Sequence, residues 1–187
     1  MFMEKIQRMI DIAKDNGAWE AAVLPTSHLR VYAEVRDICK KNSCGIYGRT
    51  WACPPAMGTI DECLDRCRSF GSMLLFTGKY DLEDSFDYEG MIEGKKSFQA
   101  LVETIAAEVR AIDKNTLIFS GGGCGRCKTC TYPEAPCRFP ETLFPALEGA
   151  GFNVSELAKQ AGIHYINGAD TVTYFAAVFF SDSAKDT

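Results

Sequence analysis

The chain has 187 residues, 20 Lys and Arg against 25 Asp and Glu, a net charge of −5 and nine cysteines. A chain of this length buries roughly 70% of its unfolded surface, so its core does not depend on disulfides or metal. The acidic balance argues against a nucleic-acid or anionic-membrane surface, and the odd cysteine count argues against a secreted disulfide framework.

Phe2, Ile6, Met9, Ile10 and Ala13 recur at helical spacing, and Asn16-Gly17 closes that first helix. Glu4, Lys5, Arg8 and Asp11 interrupt the segment, leaving no continuous apolar core for a signal peptide. The longest apolar run, "YFAAVFF" at 174–180, is too short to span a bilayer. The expectation is a cytoplasmic protein with reduced thiols, no membrane segment and no nucleic-acid partner. "AWEAAVLPTSHLRVY" at 18–32 reads as extended chain, edge-like because Pro25 cannot donate to a ladder. Residues 36–57, "RDICKKNSCGIYGRTWACPPAM", show no period and hold three cysteines, which predicts a loop held by something other than packing.

Thr59 and Glu62 form a capping-box signature for a helix whose inner stripe is Ile60, Cys63, Leu64 and Cys67, ending near Gly71. "SMLLFTGKY" is a buried strand. A polar stretch at 81–90, with Asp81, Glu83, Asp84 and Asp87, reads as a solvated loop before a long helix over 91–112. That helix turns Phe98, Leu101, Val102, Ile105, Ala106 and Val109 inward, and "TLIFS" is a second buried strand after it. "ETLFPALEGAG" and "NVSELAKQAG" look like two short helices, each stopped by glycine. "IHYINGADTVTYFAAVFF" predicts a β-hairpin turning at Asn167-Gly168-Ala169-Asp170. The sum is one α/β (α+β) domain over 1–187, with about five strands and two cysteine-rich metal-binding loops.

The chemistry concentrates in "FSGGGCGRCKTCTYPEAPCRFP", where Cys124, Cys127, Cys130 and Cys137 stand at C-x2-C-x2-C-x6-C spacing. Tetrahedral zinc favours separated pairs or Cys/His mixtures, and His28 and His164 both lie far from this stretch. Three thiolates at consecutive x2 spacings suit a [4Fe–4S] cubane, with a more distant cysteine taking the fourth iron. Cys137 is the local candidate for that corner; Cys53, which precedes Pro54, is the alternative. Gly121, Gly122, Gly123 and Gly125 allow backbone N–H groups to approach the sulfurs of an anionic cluster. Arg126, Lys128 and Arg138 would offset its charge or meet an acidic redox partner.

Cys39-x4-Cys44-x8-Cys53 is a looser set, and Cys53-Pro54-Pro55 holds its ligand candidate in extended geometry. These three cysteines would belong to the first site or to a second one. A second cluster needs a fourth ligand, which Cys63 or Cys67 could provide, although both fit the core stripe of their helix as small hydrophobes. Tyr47 and Trp51 would shield this loop. No histidine and acid accompany Ser120 or Ser155 in a triad pattern.

The ordered motifs "CKKNSCGIYGRTWACPPAMGTIDEC", "GGGCGRCKTC", "PCRFPETLFPALEGAGFNV" and "TVTYFAAVFF" resemble a family of cysteine-rich, predicted metal-binding proteins of unknown function, common in anaerobic bacteria and archaea. The resemblance runs from about residue 30 to 181 and marks Cys39, Cys44, Cys53, Cys124, Cys127, Cys130 and Cys137. It implies metal binding and no reaction. Three functions follow as expectations: an iron–sulfur electron carrier with one or two [4Fe–4S] clusters and a redox partner; a structural zinc-binding interaction module; and an enzyme whose three-cysteine cluster leaves one iron open to a small substrate.

Overall fold

A computed structural model describes residues 2–181; Met1 and residues 182–187 lie outside the described residues. Helix α1 (Phe2–Asp15) leads into strand β1 (Ala21–Pro25), followed by α2 (Ala33–Lys40), α3 (Ile60–Arg68) and β2 (Ser72–Asp81). Then come α4 (Tyr88–Ile112), β3 (Thr116–Ser120), α5 (Val154–Ala161) and β4 (Thr171–Phe180). The four strands form one sheet in the order β1-β2-β4-β3, antiparallel at every neighbouring pair. The fold is therefore α+β. Because β2 and β3 both oppose β4, they run parallel to each other. Helix α4 joins them across β4 in a split β-α-β unit.

Strand alternation divides the interior into two cores. Leu74 and Phe76 of β2, Ala176, Val178 and Phe180 of β4, and Ile118 of β3 point towards α1 and α4. Met9, Ile12 and Ala13 meet them there, with Phe98, Val102, Ile105 and Val109. Phe2 begins α1, but its side chain lies outside the described residues. Met73, Leu75, Phe175, Ala177, Phe179 and Phe119 point the other way, onto Cys63 and Cys67 of α3 and Leu157 and Ala158 of α5. This second core lies beneath the cysteine loops.

The local signals act as expected in several places. Thr59 and Glu62 make the complete capping box on α3, and Gly17 (φ 97°) and Gly162 (φ 70°) follow α1 and α5 in the left-handed region. β1 is the edge strand that Pro25 requires. Other expectations are corrected. The aperiodic loop starts after α2, not at residue 36; α2 buries none of its residues, so it leaves no apolar period to read. Helix α4 starts at Tyr88, because the Asp87 carboxylate caps it by accepting from the Gly90 N–H at 2.8 Å. "ETLFPALEGAG" contains only two 3-10 turns, Pro140–Thr142 and Glu148–Ala150, because Pro145 interrupts a continuous helix.

The terminal hairpin does not form, and the sheet has four strands among the described residues, not five. β4 is a central strand, paired along all ten residues with β2 and from Ala176 to Phe180 with β3. Residues 163–170 are held by side chains instead. The Trp19 indole donates to Asn167 at 2.9 Å, and the His164 N–H donates to Glu20 at 2.9 Å. Among the described residues, no helix is long and apolar enough to cross a membrane.

Candidate metal centre

β3 ends at Ser120, and three chain segments are tied together there. The Ser120 N–H donates to the Pro145 carbonyl at 3.0 Å, and the Ala146 N–H donates to the Ala52 carbonyl at 2.8 Å. The Gly121 N–H donates to Phe175 of β4 at 2.7 Å, so the ladder sets where the glycine run begins. A rigid sheet edge thus positions the first cysteine loop, the second, and the 140–151 segment together.

Cys124, Cys127, Cys130 and Cys137 line one cavity of about 460 Å³. Cys39, Cys44 and Cys53 line another, of about 180 Å³, together with Tyr47 and Glu148. Cys53 is absent from the wall of the four-cysteine cavity, and Cys137 is on it. The spatial grouping is four and three. All nine cysteines are free thiols. Among the described residues, no three His, Cys, Asp or Glu side chains are gathered so as to hold a metal ion as they stand.

The two cavities share Ile46 as a wall; Gly123 lines the second, and its chain neighbour Cys124 lines the first. Gly123 has φ 68°, and a Cβ on it would stand 2.9 Å from the Cys53 Sγ. Both facts require glycine: the left-handed backbone penalises a side chain, and the sulfur occupies its space. Gly122, at φ 76°, is also left-handed. Gly125 has open space at its Cβ position and no left-handed φ. On the far side, a Cβ on Gly149 would come within 2.8 Å of the Met57 sulfur, so this chain passes close against the Cys53-Pro54 loop.

The four-cysteine cavity has polar walls that favour thiolate. Partial burial raises the Cys130 thiol, but N–H groups of Tyr132, Trp51 and Thr131, with the Thr131 side chain, outweigh it and bring Cys130 below the usual thiol range. Trp51 is fixed over this loop: its indole donates to the Ala135 carbonyl at 3.1 Å, and its ring packs edge-on to Tyr132 at 4.9 Å. Arg126 pairs with Glu103 of α4 and lies 5.1 Å over the Phe139 ring, while Arg138 donates to the Thr129 carbonyl at 3.0 Å. Arg49, Arg126, Lys128 and Arg138 all line the cavity, a basic rim on an acidic chain.

The three-cysteine cavity is drier. Burial pushes the Cys39 and Cys53 thiols up, and the Glu148 charge adds to both shifts. The Glu148 carboxyl is itself held above the ordinary carboxylate range by burial, against the lowering effect of its own N–H, the Gly122 N–H and Lys95. It retains some surface because it faces the cavity, yet the surrounding protein excludes most of its water. Lys95 of α4 donates to the Gly122 carbonyl at 2.5 Å. Glu148 was not legible in the sequence. A lone acid among small apolar residues reads as the polar side of a short helix.

Cys63 and Cys67 lie in the core, fully buried and on neither cavity wall. Cys63 takes part in an Arg66 and Met57 hydrogen-bond group, and burial pushes the Cys67 thiol up to about 12. His164 is exposed and paired with Glu20 at 2.9 Å, in a loop instead of the expected strand. His28 ends a 3-10 turn remote from both cavities.

The family model described as "Predicted metal-binding protein (DUF2284)" matches residues 22–180. The chain belongs to that family. Both cysteine groups fall inside the matched region, as does every strand except the first residue of β1. Neither a curated protein nor a solved structure matches the chain.

Proposed function

We propose that this member of the predicted metal-binding family is an iron–sulfur protein that exchanges single electrons with a partner protein. Its [4Fe–4S] cluster would be held by Cys124, Cys127, Cys130 and Cys137. The observation that carries this reading is the set of four free cysteines around one cavity of about 460 Å³. Four thiolates on one zinc, at Zn–S distances of about 2.3 Å, crowd within roughly 4 Å of one another. A cubane places each thiolate on a separate iron and needs them further apart, which suits the C-x2-C-x2-C-x6-C spacing around a cavity of this size.

When bound, such a cluster supplies reversible one-electron transfer. The protein's own groups act around it. N–H groups of Trp51, Thr131 and Tyr132 stabilise the Cys130 thiolate, and Trp51 and Tyr132 restrict water on one side. Arg49, Lys128 and Arg138 offset the anionic charge and favour a redox partner with an acidic docking face. Cys39, Cys44 and Cys53 would form a second thiolate site, in a cavity that shares Ile46 with the first.

The test is iron, sulfide and zinc analysis of protein purified and reconstituted without oxygen, with visible and EPR spectra before and after dithionite. The expected result is iron and sulfide at about four per chain for one cluster or about eight for two, with a visible band that dithionite bleaches. Bound zinc without sulfide overturns the reading.

A further inference from the structure

Three cysteines leave one corner of a cubane without a thiolate, and the second cavity contains another donor. Among the described residues lining it, Glu148 is the only acid. Its carboxyl lies close enough to the Gly122 N–H to feel its dipole. A Cβ on Gly121 would stand 3.6 Å from Glu148 Oε1. The residue's main-chain carbonyl lies 4.0 Å from the Cys39 Sγ. The glycine run that Glu148 supports is the same run that meets Cys53, through Gly123. Glu148 and the three cysteines thus line one space from two chain segments.

Charge sharpens the point. A carboxylate crowded beside three thiols in a mostly apolar cavity is costly unless positive charge joins it. Lys95 reaches this turn but donates to the Gly122 carbonyl, not to the centre of the cavity. The irons of a cluster would give the carboxylate a cationic partner to ligate directly, although the centre with its thiolates is anionic as a whole. A carboxylate oxygen is also a harder, weaker ligand for cluster iron than a thiolate, so a corner held that way exchanges.

We propose that Glu148 is the fourth ligand of the Cys39, Cys44 and Cys53 site, giving a cubane with one labile, carboxylate-held iron. This rests on the iron–sulfur reading above. The first site is then a closed four-thiolate centre, and the second is the one at which an iron can be lost or can meet a small ligand.

The experiment uses the full chain, reconstituted anaerobically, as wild type, Glu148→Cys and Glu148→Gln. Each is titrated with ferricyanide while released ferrous iron and the EPR spectrum are followed. In wild type one electron passes to ferricyanide and one ferrous ion leaves, so about one of about eight irons per chain is released and a three-iron EPR signal grows in. Glu148→Cys, with four thiolates, keeps that iron and gives no such signal. Glu148→Gln retains an acceptor for the Gly122 N–H but loses the anionic ligand; it releases the iron to a chelator at least tenfold faster than wild type.

Equal release from wild type and Glu148→Cys overturns the assignment. If Glu148→Cys fails to fold, an unchanged Glu148→Gln overturns it alone. About four irons per chain, unaltered in Cys53→Ser, also overturns it while leaving the first cluster standing. Zinc without sulfide removes both readings together.

Discussion

Gly123 is the hinge between the two cysteine sites, and its replacement by alanine measures how strongly they depend on each other. Two costs act at that position. The backbone sits at φ 68°, where a non-glycine residue loses about 1–2 kcal/mol. The new methyl would begin 2.9 Å from the Cys53 sulfur, well inside normal contact, and relieving such overpacking costs about 1–3 kcal/mol. Together about 3 kcal/mol is expected, which for a chain of this size lowers Tm by roughly 6–12 °C. The sulfur must also move, so metal bound by Cys39, Cys44 and Cys53 should fall while the four-cysteine site retains most of its own. Gly125→Ala is the internal control: it has open space and no left-handed φ, and should leave both stability and loading unchanged. Thermal unfolding followed by circular dichroism, with metal analysis of each variant, makes the comparison. If Gly123→Ala melts and loads like Gly125→Ala, the close approach of the two loops is wrong.

Cys63→Ala and Cys67→Ala should each lower stability by about 1 kcal/mol through lost packing, with metal and sulfide per chain unchanged; a loss of metal in either would bring α3 into the site. Asp87 is held below the ordinary carboxylate range by the Gly90 N–H and then the Glu83 N–H, so its contribution is complete above the unfolded pKa of about 3.9 and disappears as pH falls through the lower folded value. The gap in urea midpoint between wild type and Asp87→Asn should therefore narrow from about pH 6 to about pH 2.5, and a constant gap would refute the ionic cap. Stripping metal with a chelator should speed protease cleavage within 41–58 and 121–139 while β2, α4 and β4 stay protected, read by limited proteolysis and mass spectrometry.

The sequence was most readable where the signal is local. The apolar runs in "SMLLFTGKY" and "TLIFS", the Thr59–Glu62 cap and the Phe98-to-Val109 stripe each report a short-range preference that the tertiary structure does not oppose. The terminal hairpin failed for a non-local reason. Asn167-Gly168 is a strong turn signal, but β4 already pairs with β2 and β3, and Trp19 and Glu20 hold the preceding residues elsewhere. The candidate site divides in the same way. Spacing suggested that Cys124, Cys127, Cys130 and Cys137 go together, and Cys137 rather than Cys53 shares their cavity. Glu148 is contributed by a segment with no ligand pattern of its own, and non-local hydrogen bonds, Ser120 to Pro145, Ala146 to Ala52 and Tyr32 to Gly151, bring it to Cys39 and Cys53.

The two cores and the two sites divide the work. Ten-residue strands β2 and β4 carry apolar residues into both cores, with Met57 and Leu147 among the core contributions of the segments that bear the cysteine loops. The exposed loop residues are therefore free to be built for ligation. Their placement still depends on the sheet, because β3 delivers the glycine run at a position set by its ladder to β4. A change at the end of β3 should thus reach both cavities, whereas a change at the tip of either loop should reach only one. Adjacency follows from the same arrangement. Gly123 lies beside the Cys53 sulfur, which a Cβ there would meet at 2.9 Å, and is bonded directly to Cys124, so the walls of the two sites adjoin along the chain. Two clusters so placed would sense each other's charge at short range and low dielectric, and reducing one should make the other harder to reduce.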